Sequence, residues 1–298
     1  MNKKGLTASF IFEAESANYG EGIGNVTSLK KVSRGSGESY TYISRQALRY
    51  NIIQQMGVDN TPVDAVGDGD SKVLQFEKSS TINDYPEIDL FGYMKTKDEV
   101  KTRSAVVRLS NAVALESFNA DLDFLTNNGL LDRYNTQGGE IRDGGNIAQS
   151  EIHKSYYAYT IAIDLDKVGI DENYNIEISN AEKADRISKF IDAVKFLYRD
   201  IKGRRENLSP IFAIGGVYDI KNPFFENKLA VKNNKVVVDS LESVYKLDDS
   251  IKSNTYVGLI KGIFNNDNEL IEKLNAKEMG EFFGNLKEKV SKYYNENK

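Results

Sequence analysis

The chain of 298 residues contains no cysteine and a single histidine, His153. Without cysteine it can form no disulfide, zinc–thiolate site or iron–sulfur cluster, and it has no cysteine nucleophile. A lone histidine excludes a site with several histidine ligands, and a Ser-His-Asp triad would have to use it. We therefore expect no metal and no other cofactor. Catalysis would need carboxylates, lysine, tyrosine or a hard cation.

The sequence also lacks a long apolar run. No stretch approaches the roughly 18 apolar residues that span a bilayer, and the N-terminal MNKKGLTASF has no apolar core of a signal peptide. We expect a cytoplasmic protein without a membrane partner, and the absence of cysteine fits that compartment.

Acidic residues outnumber basic ones, at 44 against 39, although nucleic-acid-binding proteins are usually more basic. One stretch reverses the balance, because between positions 30 and 49 the only acid is Glu38. Its positive residues are Lys30, Lys31, Arg34, Arg45 and Arg49. Salt screens charges beyond about 10 Å, so this local balance matters more than the net charge. Glycines at 20, 22 and 24 precede it and let a backbone approach a ligand. The stretch therefore predicts a site for a phosphodiester backbone.

Hydrophobic periodicity divides the chain into strands and helices. Residues 6–15 alternate with period two, which predicts a half-buried strand. Ser179 and Glu182 form a capping box before a helical pattern that Gly203 closes. The remaining predictions are helices at about 41–56 and 115–131, strands at 105–109, 157–163, 211–218 and 255–260, a hairpin at 229–231 and 236–238, and a final amphipathic helix over 270–290.

The first predicted helix carries Arg45 and Arg49 four residues apart, so they share one face. Ile43, Ala47 and Tyr50 lie roughly opposite and are suited to pack on a sheet. This arrangement would direct two guanidinium groups toward one ligand.

Without insertions, the predicted order is strand, helix, strand, strand, helix, strand. This is the split β-α-β arrangement of α+β ferredoxin-like domains, which RNA-recognition modules share. Residues 1–57 and 104–298 would form this body. Residues 58–103 break the rhythm and are interpreted as an insertion.

Several sequence blocks carry a more specific signal: SANYGEGIGN (16–25), SLKK (28–31), YTYISRQALRY (40–50), DLFGYM (89–94), RSAVVRLSNAVAL (103–115), SEIHKSYYAYTIAIDLDKVG (150–169) and GRRENLSPIFAIGGVY (203–218). Together they resemble the backbone subunit of type I CRISPR effector complexes (Cascade), the DevR-like branch of the RAMP superfamily. The resemblance covers most of the chain.

The resemblance implies a modified RNA-recognition fold as a palm, with inserted fingers at 58–103, a thumb hairpin at about 203–240 and a C-terminal helix. Copies of such subunits stack head to tail along the CRISPR RNA (crRNA) guide, here of subtype I-B. They leave most bases free to pair with target DNA. Other Cascade subunits and a separate helicase-nuclease would be partners, and the subunit itself would not be catalytic.

Residue chemistry and the resemblance together give the candidate RNA contacts. The first helix would clamp phosphates and 2′-hydroxyls, and cations elsewhere would extend the path. The candidates are Asn18, Asn25, Lys30, Lys31, Arg34, Ser44, Arg45, Gln46, Arg49, Arg103, Arg108, His153, Lys154, Arg204 and Arg205. Phe91, Tyr93 and Met94 would stack on bases or contact a neighbouring subunit.

One alternative is a metal-dependent ribonuclease, because relatives in type III complexes cut RNA with an aspartate in an early palm loop. The corresponding loop here offers Glu13, Glu15 and Glu21 but no aspartate before Asp59. This departure weighs against the enzyme.

Another alternative is a ferredoxin-like regulator that binds a small acidic ligand at the glycine loop. The glycine spacing is not GxGxxG and no helix follows directly, which disfavours a nucleotide site. Asp64, Asp68 and Asp70 do not match a calcium loop, so a solvated loop is expected there.

Overall fold

The computed structural model of the protein describes residues 3–20, 22, 24–67, 69, 72–97, 99–141 and 147–296. Strands and helices are mixed along the chain, which confirms the α+β class. The helices are α1 (Arg45–Met56), α2 (Pro86–Phe91), α3 (Asn128–Thr136), α4 (Asn180–Lys195), α5 (Asp239–Tyr245), α6 (Asp249–Asn254), α7 (Asp267–Leu274) and α8 (Met279–Glu296), with a 3₁₀ turn at Leu165–Lys167.

The strands are mostly short. In chain order they are β1 (Gly5–Ala14), β2 (Val26–Thr27), β3 (Lys31–Ser33), β4 (Ser39–Ile43), β5 (Val63–Val66), β6 (Val73–Phe76), β7 (Tyr93–Lys95), β8 (Lys101–Arg103), β9 (Val107–Leu109), β10 (Ala112–Ala114), β11 (Asp121–Thr126), β12 (Ile147–Ile152), β13 (Ser155–Asp164), β14 (Ile170–Asp171), β15 (Ile176–Glu177), β16 (Tyr198–Ile201), β17 (Arg204–Asn207), β18 (Phe212–Tyr218), β19 (Val231–Lys232), β20 (Lys235–Val236), β21 (Thr255–Leu259) and β22 (Lys277–Glu278).

Strand β1 lies inside the main sheet, antiparallel to β13 on one side and to β18 on the other. The sheet runs in the order β22-β21-β18-β1-β13-β10-β4-β3, and β9 also pairs with β13. The pairing with β13 matches Gly5 to Asp164 and Ala14 to Ser155, so it extends along the whole of β1.

Both faces of this sheet are covered. Leu6, Ala8 and Phe10 pack in one core with helices α1, α4 and α8. Ile11 belongs to a second core, formed with the hairpin β19–β20 and helices α5, α6 and α7. The prediction of a half-buried first strand was wrong, since Glu13 is its one exposed residue. The chain after β18 folds back over the second face, which the sequence pattern of β1 does not reveal.

Helix α1 begins later than predicted. Ser44 is its N-cap and accepts a hydrogen bond from the Ala47 N–H, while residues 39–43 form β4. It ends at Met56, where Gly57 adopts φ 65°. The predicted packing face was partly wrong, because Tyr50 is 63% exposed. Leu48, Ile52 and Ile53 are the residues that this helix buries.

Helix α4 confirms the predicted N-terminus, since the Ser179 hydroxyl accepts a hydrogen bond from the Glu182 N–H. It ends at Lys195 and not at Gly203. Residues 198–207 instead form the antiparallel hairpin β16–β17, in which Arg199 and Glu206 face each other and pair at 2.7 Å. The apolar residues after Phe196 have the spacing of a helix. The ion pair between Arg199 and Glu206 instead joins two strands and stabilises the hairpin.

The helix predicted at 115–131 was also wrong. Strand β11 pairs with β12, matching Asp121 to Ile152, and α3 lies between them. We call β11, α3 and β12 the exposed unit, because every residue of β11 is exposed and α3 buries none. The apolar residues of this unit do not pack into a core. Their spacing in the sequence therefore does not indicate a helix.

The insertion at 58–103 contains the hairpins β5–β6 and β7–β8, joined through α2. It has a small core of its own around Ile82, Ile88 and Tyr93. Asp89 of α2 pairs with Arg103 of the same insertion at 2.7 Å, and its ion pair with Arg186 of α4 at 3.1 Å anchors the insertion to the body.

The range of 203–240 that the sequence assigned to a thumb is not one projecting hairpin. Strand β18 lies between β1 and β21 in the main sheet, and Val231 and Val236 pack in the second core. The single final helix predicted over 270–290 is two helices, α7 and α8, separated at Asn275, which adopts φ 53°. Among the described residues, no helix is long and apolar enough to cross a membrane.

Candidate nucleic-acid interface

Three predicted arginines lie at one cleft between α1 and β9. Its volume is about 410 Å³. Arg45 and Arg49 come from the helix, and Arg108 comes from β9, 59 positions further along the chain than Arg49. The other lining residues are Gln46, Phe91, Ala105, Val107 and Leu109. We call this the arginine cleft.

Side chains from two other segments fix the start of α1 at this cleft. The Asn111 Oδ1 atom accepts a hydrogen bond from the Arg45 N–H at 2.9 Å. Asn18 donates from Nδ2 to the Ser44 hydroxyl at 3.3 Å. The first turn carries no acidic residue, so the positive end of the helix dipole is not neutralised there. Asn18 and Ser44 therefore hold the start of the helix.

The three arginines of the cleft differ in how many ion pairs and ring contacts they already make within the protein. Arg49 lies over the Phe91 ring at 4.9 Å and has Glu87 at 3.7 Å. Burial lowers the pKa of Arg49, and Glu87 opposes this effect. Arg108 pairs with Asp164 at 3.0 Å. The exposed Arg45 guanidinium has no partner among the described residues, so it is the cation most available to an anion.

The two neighbouring lysines of the basic stretch, Lys30 and Lys31, have different surroundings. Lys30 is exposed and unpaired within the described part of the chain. Lys31 is bound to Glu151 at 2.7 Å and lies 4.2 Å from the centre of the Phe118 ring. Lys31 therefore ties β3 to the base of the exposed unit.

Arg34 lies away from the arginine cleft. It stacks on the Tyr40 ring at 4.0 Å and lines a separate groove beside Asn111 and Lys228. Asn25 is exposed, and its carbonyl accepts a hydrogen bond from Gln149 N–H at 3.0 Å.

Arg103 was predicted as an RNA contact, but its side chain is bound within the protein. Its side chain is only 8% exposed and is paired with Asp89. It also donates to the carbonyls of Lys167 and Ile170, each at 3.1 Å. A buried arginine saturated by acceptors in this way joins the insertion to the body.

His153, also predicted as an RNA contact, lies inside the protein. It is buried, with Nδ1 2.7 Å from the Thr41 hydroxyl and its ring edge-on to Phe118. Burial lowers the pKa of His153, which favours the neutral ring near pH 7. The following Lys154 is exposed but pairs with Glu13 at 3.0 Å.

Arg204 and Arg205 lie on the hairpin β16–β17. Arg204 bridges Glu15 at 2.9 Å and Glu206 at 3.1 Å. Arg205 makes a two-pronged contact with Asp200, at 2.9 Å for each nitrogen. Neither lines the arginine cleft, and both meet protein acids first.

The aromatic residues of DLFGYM are mostly internal. Phe91 packs edge-on against Phe190, and the Tyr93 hydroxyl donates to Asp171. Both are buried, whereas Met94 is 61% exposed. The burial of Phe91 and Tyr93 weighs against base stacking on either ring, and Met94 is the most exposed of the three.

Sequence reasoning missed two exposed apolar surfaces. One belongs to the exposed unit: Leu122, Phe124, Leu125, Leu130, Tyr134 and Ile147. The other belongs to the insertion: Val63, Val73, Leu74 and Met94. Clusters of apolar residues are visible in the sequence at both places, and exposed apolar clusters mark interaction surfaces. Without the fold, however, these residues could not be distinguished from residues of the core.

The positions of the acidic residues bear on the alternative of a metal-dependent ribonuclease. Within the described residues, no group of three or more acids and histidines could hold a metal ion. Asp64 is paired with Lys97 at 2.9 Å. Glu21, Asp68 and Asp70 lie outside the described residues.

A sequence profile decides the family. The profile described as "CRISPR-associated negative auto-regulator DevR/Csa2" matches residues 6–239. The chain belongs to the DevR/Csa2 family. The resemblance inferred from the sequence blocks is thereby confirmed, and the match includes α1, the insertion and the exposed unit.

Solved structures agree with this DevR/Csa2 assignment at the level of fold. A chain of a "CRISPR RNA-guided surveillance complex, pre-nicking" superposes with a TM-score of 0.62 at 11% identity, covering 94% of this chain and 99% of the other. A chain of a "CRISPR RNA-guided surveillance complex" gives 0.58 at 13% identity, covering 97% and 99%. No curated protein sequence matches significantly.

Proposed function

We propose that this DevR/Csa2 protein is a non-catalytic backbone subunit that binds the crRNA of a type I CRISPR surveillance complex. The observation that carries the proposal is the arginine cleft, in which Arg45, Arg49 and Arg108 converge from two distant segments. Phosphates are identical at every step of a guide, so backbone contacts hold it without reading its sequence.

The geometry of the cleft suits a sugar–phosphate chain. Arg45 offers a guanidinium that has no partner in the described part of the chain, and Gln46 beside it is exposed and can reach a 2′-hydroxyl. Arg49 and Arg108 already have acidic neighbours, so a phosphate would share these cations. Such a site binds weakly per copy, and repetition along one RNA would supply the overall affinity.

The fold supports a palm with fingers and a thumb. The strand order β18-β1-β13-β10, with α1 after β1 and α4 after β13, fits the arrangement of an RNA-recognition module. We assign the insertion at 58–103 to the fingers. We assign the exposed unit, not residues 203–240, to the thumb.

Copies of the subunit would associate head to tail. A heterologous contact that does not close generates a helical filament. The apolar surfaces of the exposed unit and the insertion give such a contact two different faces. Target DNA, other Cascade subunits and a helicase-nuclease are the further partners that membership of this family suggests. The assignment to subtype I-B rests on sequence resemblance.

A paired charge reversal tests the proposal. We expect Arg45→Glu combined with Arg49→Glu to weaken binding of the full chain to labelled single-stranded RNA about tenfold or more, equally for unrelated sequences. The matched control is Lys252→Glu with Lys277→Glu, which makes the same charge change at exposed lysines outside the cleft. Equal loss in both variants would indicate a general charge effect and contradict the site.

A further inference from the structure

The groove that Arg34 lines lies on the second face of the main sheet, and its volume is about 640 Å³. Val113, Leu115 and Ala158 form its apolar floor. Leu115 and Ala158 are half-buried and pack against the second core, which places the groove on the face opposite helices α1 and α4. Residues 225–230 and Lys232 form the far wall. We call this the sheet groove.

The cations of the sheet groove outnumber its acids. Arg34, Lys228 and Lys232 line it and are exposed. Glu226 is the one acid among the described residues of the lining. None of the three cations forms an ion pair within the described part of the chain. On a chain whose net charge is -5, such a local excess of positive charge favours a polyanion.

The protein already holds Arg34 in position. Its guanidinium lies 4.0 Å from the centre of the Tyr40 ring. The Glu38 carboxylate accepts a hydrogen bond from the Tyr40 hydroxyl at 2.8 Å and does not line the groove. Because the ring restricts the guanidinium, a phosphate that binds Arg34 costs less side-chain entropy than it would at a free arginine.

The sheet groove and the arginine cleft meet at the end of β9. Arg108 and Leu109 line the cleft, and the next two residues, Ser110 and Asn111, line the groove. The two cavities are therefore separated by the width of one turn of the chain. A strand that leaves the cleft at Arg108 reaches the groove by crossing this turn.

The pairing register places Arg108 on the face of the groove. Arg108 lies opposite Ala162 of β13, and Val113 lies opposite Ala158. Ala158 and Ala162 are four residues apart on one strand, so they share a face and are separated by about 13 Å. Asp164, to which Arg108 is bound, is two residues further on and belongs to the same face. Arg108 thus connects the cleft with the groove.

An apolar floor between exposed cations suits a single strand of nucleic acid. Cations contact the phosphates, while bases and sugars cover the apolar side chains. RNA-recognition modules bind RNA on an open face of their sheet. Here the second core covers this face at β18 and β21, through Ile214 and Val257 among others, and the groove lies over β10 and β13.

We propose that the sheet groove is a second RNA site of the same subunit, which holds the strand after it leaves the arginine cleft. This inference rests on the proposed RNA-binding function and extends it from one cleft to a path around the edge strand β9. Lys228 and Lys232 would contact phosphates on one wall, and Arg34 would contact a phosphate on the other. These contacts do not depend on the identity of the bases.

The test removes the two lysines of the groove and compares RNAs of two lengths. Both lysines are exposed, so Lys228→Gln with Lys232→Gln should leave the fold intact, which thermal melting verifies. The RNAs have about four and about eight nucleotides, in the range of single-strand sites of one domain. They are present in excess, so that each strand holds one copy of the full chain. We expect the variant to lose about tenfold in affinity for the longer RNA at about 0.1 M salt, and no more than about twofold for the shorter one.

The salt dependence gives a second readout. Each phosphate neutralised on a single strand contributes about 0.7 to the slope of log affinity on log salt. The variant should therefore lose about 1.4 of this slope on the longer RNA. The matched control, Lys252→Gln with Lys277→Gln, changes exposed lysines outside both cavities and should keep the affinity and the slope of the wild type.

A groove variant that binds the longer RNA with the affinity and slope of the wild type overturns the inference and leaves the arginine cleft as the only RNA site. An equal loss on both RNAs, or an equal loss in the control, also overturns it, because it reflects a general effect of charge. Normal binding of both RNAs with fewer copies on a long RNA would assign the groove to a contact between copies instead. If the wild type binds neither RNA, the proposed function fails, and this inference fails with it.

Discussion

Asn111 accepts a hydrogen bond from the backbone N–H of Arg45 at 2.9 Å. Asn111 belongs to the turn between β9 and β10, and Arg45 is the first residue of α1. Together with the pairing of β10 and β4, this contact joins the two segments that supply the arginine cleft, so it helps to set the spacing between Arg45 and Arg108.

Replacing Asn111 by alanine should weaken both RNA binding and the fold. The helix loses one cap, which costs about 1 kcal/mol of unfolding free energy, while the cleft loses its alignment. We expect a two- to fivefold drop in RNA affinity, roughly what one net hydrogen bond is worth. Titration of labelled RNA and urea unfolding measure the two effects. Asn265→Ala, which removes an exposed amide bound to the Asn233 carbonyl, is the control. Identical affinities for the two variants would show that Asn111 does not position the cleft.

Asp89→Ala should be among the most destabilising single changes. Asp89 is fully buried and pairs with both Arg103 and Arg186. Removing it takes away the carboxylate that these two buried cations share and leaves Arg186 paired with Glu182, at a cost of about 3–5 kcal/mol. Urea unfolding of the variant measures this loss. Asp64→Ala, which breaks the more exposed pair with Lys97, should cost about 1 kcal/mol or less. Comparable losses in the two variants would contradict the anchoring role of Asp89.

The Asp89 cluster also shows where sequence reasoning stops. Ser179 and Glu182 predicted a helix start because capping is a local property, and α4 begins there. Arg103 looked like a nucleic-acid contact because its acceptors come from positions 89, 167 and 170, and no local pattern brings these together. The sequence predicted only that two of the three arginines of the cleft lie together. Arg45 and Arg49 share a helix face, but only the sheet pairing places Arg108 opposite them.

His153 should make the fold less stable in mild acid. Burial lowers its pKa below the ordinary value of 6.5, so below that pH the unfolded chain binds the proton more readily. The unfolding free energy therefore falls as the pH drops from about 7 through this window. His153→Gln should reduce this loss, because glutamine does not titrate and no buried imidazole then has to be protonated. Urea unfolding at the two ends of the window tests it. A steeper dependence in the variant would mean that Glu116, which opposes the shift, dominates.

Phe124→Asp should impair assembly while leaving the binding of a single copy intact. Phe124 is exposed on β11, outside the arginine cleft, and a charge there would oppose an apolar contact with a neighbouring copy. Sedimentation on a long RNA should show fewer bound copies per strand. Ile220→Asp, at an exposed apolar position outside the exposed unit, should assemble normally. Normal assembly of Phe124→Asp would exclude that surface from the subunit contact.

The most direct measurement is a structure of the full chain assembled on a guide RNA. We expect guide phosphates within hydrogen-bonding distance of the Arg45 and Arg49 guanidinium groups, repeated in every copy, with Arg103 and His153 still buried. A guide that runs along the hairpin of Arg204 and Arg205 instead, and leaves the arginine cleft empty, would contradict the account.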